Sequence, residues 1–147
     1  MITIKSPATH DDFKAYYALR YKVLSEPSGH VKGTEKDDYE PISEHFSAVD
    51  DDTGEIVGVV KLFERAPGIG NFSHLAVAPQ HHNQGIGKLL LQTVEKRARE
   101  HGFKTLGAMS RITATAYFEK QGYKVTEIPA PNLGTTHLVW LEKDISV

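Results

Sequence analysis

The stretch that decides the fold runs from His74 to Leu90 and reads HLAVAPQHHNQGIGKLL. A strand pattern ends at Pro79, a polar loop follows, and two glycines, Gly85 and Gly87, open a helix. A helix N-terminus presents unpaired N–H groups and the positive end of the helix dipole, and glycine lets an anion approach the backbone closely. The stretch therefore predicts either a phosphate or pyrophosphate site or simply a tight strand-to-helix turn.

Two other phosphate-binding motifs are absent from the same residues. A P-loop requires a glycine five residues before its Gly-Lys pair and Ser or Thr after the lysine, but His82 and Leu89 stand at those positions. A dinucleotide fingerprint requires a third glycine where this chain has Leu90.

The hydrophobic pattern predicts strands and helices on both sides of this stretch. The helix that begins at Gly85 extends to His101 with its apolar side chains on one face, and Gly102 is placed to end it. The other expected elements are a strand at 2–6, a helix at 9–24 capped by Thr9 or Asp11, strands at 44–49, 55–63, 71–78 and 104–108, a short helix at 113–121, and strands at 123–128 and 137–141. This order predicts an α/β fold with a mixed sheet (α+β in part), parallel around the long helix and antiparallel before it, in one domain over residues 1–147.

Composition excludes several classes of protein. The chain has 147 residues and no cysteine, which rules out disulfides and thiol nucleophiles. It lacks an apolar run long enough to span a bilayer and a signal-peptide pattern after Met1, so we expect a cytoplasmic protein with no membrane partner.

Charge is unevenly distributed along the chain. Residues 34–55 hold nine acids and one base, whereas residues 85–124 hold eight bases and three acids. The asymmetry is either solvated surface or an anion-binding half beside an acidic half that attracts a cationic substrate. Because the bases are scattered and lack interleaved aromatic residues, no nucleic-acid partner is expected.

Two motifs carry a family resemblance. Residues 75–91 resemble motif A of the GNAT superfamily of N-acetyltransferases, roughly L-x-V-x-P-x-x-[RQ]-x-x-G-x-[GA]-x-x-L-L; the matching residues are Leu75, Val77, Pro79, Gly85, Gly87 and Leu90. Residues 114–123, ATAYFEKQGY, are similar to the family's A-x-x-F-Y-x-x-x-G-[FY]. The order of elements also looks like a GNAT-like acyl-CoA N-acyltransferase fold, a central mixed sheet flanked by helices.

The resemblance implies acetyl-CoA as cosubstrate and a site for it. The backbone of Leu75, Ala76 and Val77 would pair with the pantetheine arm as an added strand does. Backbone N–H groups of the loop and helix start would hold the pyrophosphate, which implicates Asn83, Gln84, Gly85, Ile86, Gly87 and Lys88.

The resemblance also places His82, Arg111 and Phe118 at the cofactor site, and at these three positions the chain departs from the family pattern. His82 stands where the family has Arg or Gln, which would make phosphate affinity pH-dependent if His82 contributes charge. Phe118 stands at the position of the frequent general-acid Tyr and has no proton to donate, and Arg111 replaces an Asn seven residues before it. Tyr117 is adjacent to Phe118, but neighbouring helix side chains diverge by about 100°, so it is not a simple substitute.

Several polar side chains are candidates for acid–base work. His74 is the first candidate for the general base, with Ser73 or Asn71 positioning a water as the alternative; packing of His74 on the opposite face is an equally good interpretation. A water or Tyr117 would serve as the acid. Residues that could border the acceptor site, or simply pack or lie at the surface, are His137, Glu44, His45, Tyr16, Tyr17 and Arg20.

The sequence thus predicts an N-acetyltransferase that moves an acetyl group from acetyl-CoA to a small-molecule or peptide amine by direct attack. One alternative is an acetyl-CoA-binding module that has lost catalysis, as Phe118 suggests. Another is a metal-binding protein, suggested by His81 and His82, but no H-E-x-x-H motif is present, so no metal is expected. The acceptor and oligomeric state stay open, with a homodimer as the ordinary expectation.

Overall fold

A computed structural model of the chain describes residues 1–127 and 138–146. In chain order, its strands and α-helices are β1 Ile2–Lys5, α1 His10–Arg20, β2 Glu44–Asp50, β3 Ile56–Ala66, β4 Ile69–Val77, α2 Ile86–Glu100, β5 Thr105–Arg111, α3 Thr115–Lys120, β6 Lys124–Glu127 and β7 Leu138–Asp144. A π-helical segment, Tyr21–Ser25, continues α1. No helix within these ranges is both long and apolar enough to cross a membrane.

The strands form one mixed sheet in the order β1-β2-β3-β4-β5-β7-β6. β4 and β5, which α2 connects, pair in parallel, and the other neighbours pair antiparallel. The β4–β5 ladder joins Ile69, Gly70 and Asn71 to residues 105–107 and then stops. Beyond that point no described residue pairs with the facing edges of the two strands, which opens the sheet beside the N-terminus of α2.

The main core lies between the sheet and α2. The helix buries one face, made of Ile86, Leu90, Leu91, Val94 and Ala98. These side chains pack with apolar residues of β2, β3, β4, β5 and β7. Burial of large aliphatic side chains contributes about 1.5–3 kcal/mol each, so the amphipathic pattern of α2 fixes its place on the sheet.

The opposite face of the sheet is covered by α1 and by residues 34–43, which we call the strap. A capping box begins α1: the Thr9 hydroxyl accepts from the Asp12 N–H, and the Asp12 carboxylate accepts from the Thr9 N–H. Tyr16 is fully buried against β3 and β4, and its hydroxyl donates to the Val60 carbonyl.

A β-bulge interrupts β4 where it faces Val60. Val59 pairs with Ala76 and Lys61 pairs with Ser73, so β4 holds one residue more than β3 in this interval. His74, inside the bulge, has a φ of 56°, which is uncommon for a residue other than glycine. The bulge changes the direction in which the His74 side chain points relative to a regular strand.

The expected order of elements and the mixed sheet are confirmed. Among the described residues the boundaries shift by up to three residues, apart from the α-helical end of the first helix, which comes four residues earlier than expected. The expected strand bounds at 128 and 137 lie outside the described residues. The predicted first helix is α-helical to Arg20 and π-helical from there. The pattern did not predict that β7 lies between β5 and β6.

Candidate functional site

A cavity of about 780 Å³ lies at the N-terminus of α2, between the free edge of β4 and α3. Gly85 is the N-cap residue of α2, with a φ of 79°, and no side chain in residues 1–127 or 138–146 caps this helix. The first N–H groups of α2 are therefore available to a ligand, whereas at α1 the Thr9–Asp12 box already uses two backbone N–H groups. An uncapped helix start that opens into a cavity fits an anionic group.

Most residues predicted to bind the cofactor line this cavity. From this predicted set, the lining includes Leu75, Ala76, Val77, His82, Asn83, Gly85, Ile86, Gly87, Lys88 and Phe118. Tyr117, a candidate for the general acid, also lines the cavity. Two predicted residues do not line it. The Gln84 amide oxygen lies 3.2 Å from His81 Nδ1, and the exposed Arg111 guanidinium donates to the Ser28 hydroxyl over 3.4 Å.

His82 contacts the end of β4 and not only the loop. Its Nε2 lies 2.9 Å from the carbonyl oxygen of Val77. Because a carbonyl oxygen only accepts, Nε2 carries a proton and donates. The imidazole thus connects the phosphate-site loop to the strand edge on which the pantetheine arm is expected.

Tyr117 and Phe118 lie at different depths of the cavity wall. A Cβ atom built on Gly87 would lie 3.4 Å from the Tyr117 hydroxyl, which places that hydroxyl at the front of α2. Burial raises the pKa of Tyr117. Phe118 packs with Phe72 and Tyr123, at ring-centroid distances of 5.9 and 6.1 Å, so its ring forms part of the core.

His74 and Ser73, the predicted catalytic pair, lie together at the bulge. The Ser73 hydroxyl oxygen is 3.0 Å from His74 Nδ1, and the His74 side chain is 23% exposed. Neither residue lines the cavity at α2. Burial lowers the pKa of His74 to about 4; the charges of Arg20 and Lys61 act in the same direction, and those of Asp37 and Glu40 oppose them.

The strap places two carboxylates over His74 and anchors them with buried bases. Lys61, fully buried on β3, bonds Asp37 Oδ1 and lies 3.1 Å from Glu40 Oε2. Arg20, also fully buried, lies 2.9 Å from the same Glu40 oxygen. Burial raises the pKa of Glu40, but hydrogen bonds from the Asp37 N–H and from Arg20, with the charges of Arg20 and Lys61, outweigh burial and lower it to about 2.

The sequence prediction missed Asp37 and Lys61 as members of the site. Asp37 Oδ2 lies 3.9 Å from His74 Nδ1. The available signal was Lys61 itself, because a lysine inside the apolar run IVGVVKLF must be paired if the strand is buried. Possible metal ligands on Asp37, Glu40 and His74 come within 4.8 Å of one another, but the ammonium of Lys61 already supplies the cation between the two carboxylates.

The other predicted acceptor-site residues have structural contacts. Glu44 bonds Arg97 over 2.7 Å and also bonds His101, on the α2 side of the molecule. His45 Nδ1 lies 2.9 Å from the buried Tyr16 hydroxyl, and burial lowers the pKa of His45. The Tyr17 hydroxyl donates to Glu40, and His137 lies outside the described residues.

Comparison with known proteins gives a family match and related folds. The model of the "Acetyltransferase (GNAT) family" matches residues 9–123. An amino-acid acetyltransferase of Pseudomonas fluorescens (strain Pf0-1) is 34% identical over 86 residues, which are 58% of this chain and 19% of that protein. The chain thus matches about a fifth of the length of this curated relative.

Two solved structures illustrate the fold. A Lactobacillus plantarum protein, assigned provisionally as an N-acetyltransferase, superposes with a TM-score of 0.86 at 24% identity over 99% of both chains. A GNAT family acetyltransferase from Elizabethkingia anophelis with acetyl-CoA bound superposes with a TM-score of 0.75 at 22% identity over 97% of both. At these identities the likeness establishes the fold.

Proposed function

Because this chain belongs to the GNAT acetyltransferase family, we propose that it transfers the acetyl group of acetyl-CoA to a primary amine by direct attack. The observation that carries the proposal is the uncapped N-terminus of α2, which opens into a cavity beside the unpaired edge of β4. A pyrophosphate and an extended pantetheine arm require these two features together.

The chain's residues divide the binding of acetyl-CoA between loop and strand. Backbone N–H groups of Asn83 and of Gly85 to Lys88, which line the cavity, bind the pyrophosphate, and the Lys88 ammonium adds charge at the rim. Leu75, Ala76 and Val77 present backbone groups along the open edge of β4. Since His82 already donates to the Val77 carbonyl, the N–H groups of this edge are the more available partners for the arm.

The reaction needs two proton transfers. The acceptor arrives as an ammonium and loses one proton to a base, for which His74 is the candidate at the bulge. The amine nitrogen then bonds the acetyl carbon while a backbone N–H at the bulge stabilises the oxyanion. The carbon–sulfur bond breaks, and the thiolate takes the second proton from the attacking nitrogen. A thiol has a pKa of about 8.5, so the thiolate leaves without requiring the acid that Phe118 does not provide.

The alternative is an acetyl-CoA-binding module without catalysis, which the Phe118 position favours. An assay of coenzyme A thiol release with a panel of amines separates the two. The panel begins with α-amino acids, since the relative from Pseudomonas fluorescens is named an amino-acid acetyltransferase, and continues with polyamines, aminoglycosides and peptides. Amine-dependent thiol release supports the transferase, whereas tight acetyl-CoA binding with no release from any amine supports the inert module.

A further inference from the structure

The contacts of the His74 ring point to a role for a strap residue. We propose that Asp37 is a positioning residue: held by Lys61, it keeps the proton of the neutral His74 ring on Nδ1 and leaves Nε2 free to take the proton of the acceptor ammonium. This inference rests on the proposed function, in which His74 is the base, and it concerns the strap, which no motif of the sequence identified.

The orientation of the Asp37 carboxylate is fixed by donors on one of its oxygens. Oδ1 accepts from the Lys61 ammonium and, over 2.9 Å, from the Tyr39 N–H. Oδ2 is therefore the oxygen left to face His74, and it lies 3.9 Å from Nδ1. This distance is too long for a direct hydrogen bond, so the interaction is electrostatic.

The negative Oδ2 selects between the two neutral forms of the ring. A proton on Nδ1 is attracted by the carboxylate, whereas a lone pair there is repelled. The Ser73 hydroxyl, 3.0 Å from Nδ1, accommodates the Nδ1–H form because a hydroxyl oxygen accepts as well as donates. No described residue bonds Nε2, so that nitrogen keeps its lone pair for the acceptor.

The same carboxylate stabilises the ring once it has taken a proton. The charged groups that act on His74 are Arg20 from α1, Lys61 from β3, and Asp37 and Glu40 from the strap. The two positive charges of the bases equal in number the two negative charges of the acids. Asp37 has a carboxylate oxygen 3.9 Å from the ring, so its charge opposes those of the two bases when the imidazolium forms.

The substitution Asp37→Asn tests the proposal because the structure fixes how the amide sits. Lys61 and the Tyr39 N–H are donors, so they hold the amide oxygen at the Oδ1 position, and the NH₂ group takes the place of Oδ2. The amide then presents a donor to Nδ1, which favours the lone pair on Nδ1 and the proton on Nε2. Asp38→Asn is the matched control, since Asp38 is exposed and neighbours Asp37 in the chain.

Nitrogen NMR of the histidine rings at pH 7 reads the position of the proton directly, with the His74 signals assigned by their loss in His74→Gln. We expect Nδ1–H in the wild type, in Asp38→Asn and in Ser73→Ala, and Nε2–H in Asp37→Asn. A wild-type ring with its proton on Nε2 overturns the proposal by itself. An Asp37→Asn spectrum like that of the wild type also overturns it, and so does a Ser73→Ala spectrum in which the proton has moved to Nε2.

Turnover adds an independent readout once an amine from the panel is accepted. Asp37→Asn should lower kcat by roughly 10–100-fold, by analogy with the loss of a partner that orients a metal-bound histidine, with the KM for acetyl-CoA unchanged. Equal kcat in the variant and the wild type overturns the proposal. Failure of the proposed function has a different signature: the wild type then either takes up no acetyl-CoA in calorimetry or binds it and releases no coenzyme A thiol with any amine, whatever the position of the His74 proton.

Discussion

Gly87→Ala should separate the stability of this protein from its affinity for acetyl-CoA. Gly87 is the second residue of α2 and lines the cavity. A Cβ atom there would lie 3.4 Å from the Tyr117 hydroxyl and 3.8 Å from Val77 Cγ2, so the methyl group fits without displacing the fold. Alanine also favours a helix over glycine by about 0.5–1 kcal/mol. We therefore expect the variant to be as stable as the wild type or slightly more stable.

The methyl group should weaken acetyl-CoA binding, because it occupies the side from which a pyrophosphate approaches the helix start. Loss of one hydrogen bond to a charged oxygen costs about 1.5–3 kcal/mol. That free energy corresponds to a dissociation constant for acetyl-CoA that rises roughly 10–150-fold. Isothermal titration calorimetry gives the affinity, and urea denaturation gives the free energy of unfolding.

Gly70→Ala is the matched control, since Gly70 does not line the cavity. A Cβ atom on Gly70 would lie 2.7 Å from Phe103 Cδ2, so this variant should lose about 1–3 kcal/mol of stability with its acetyl-CoA affinity unchanged. If Gly87→Ala binds acetyl-CoA as the wild type does while remaining folded, the pyrophosphate does not lie on the start of α2, and the reasoning is refuted.

Three further predictions concern charge and capping. The pKa of His74 is lowered from 6.5 to about 4 in the folded protein, so the neutral ring stabilises the fold fully above pH 6.5 and this stabilisation is lost as the pH falls toward 4. Between pH 7 and pH 5, urea denaturation should show that the free energy of unfolding falls by about 2 kcal/mol more in the wild type than in His74→Gln. An equal loss in both proteins would contradict the burial of a neutral ring. Lys61→Met leaves Glu40 paired with Arg20 but removes the ammonium that Asp37 bonds, so it should lower the free energy of unfolding by about 3 kcal/mol. A loss below about 1 kcal/mol would show that the pairing is unimportant. Thr9→Ala removes the cap of α1 and should lower the free energy of unfolding by about 1 kcal/mol in urea denaturation. An unchanged free energy would show that the start of α1 is frayed and that the cap does not stabilise it.

Local patterns along the sequence were enough to predict most of the fold. The amphipathic face of α2, the Thr9 cap of α1, and Gly85 and Gly102 at the two ends of α2 are each defined by a few neighbouring residues, so the elements could be predicted from short stretches of sequence. The cavity residues from Leu75 to Lys88 came from the resemblance to the family's motif A, whose strand edge and helix start are contiguous in the chain. Local patterns could not predict that β7 inserts between β5 and β6.

The surroundings of His74 depended on contacts between distant residues. Regular strand alternation says that Ser73 and His74 face opposite sides, but the bulge brings the Ser73 hydroxyl to 3.0 Å from the His74 ring. The bulge residue is a histidine and not a glycine, so no residue type marked it. Asp37 was visible only as one acid among nine, and its place beside His74 depends on Lys61, 24 residues later.

An amide NMR titration of the labelled protein with acetyl-CoA tests the central claim most directly. We predict saturable shifts that are largest at the amides of Gly85 to Lys88 and of Leu75 to Val77, with the rest of α2 nearly unchanged. Acetyl-CoA that moves none of these amides, or moves only amides far from the start of α2, would contradict the account.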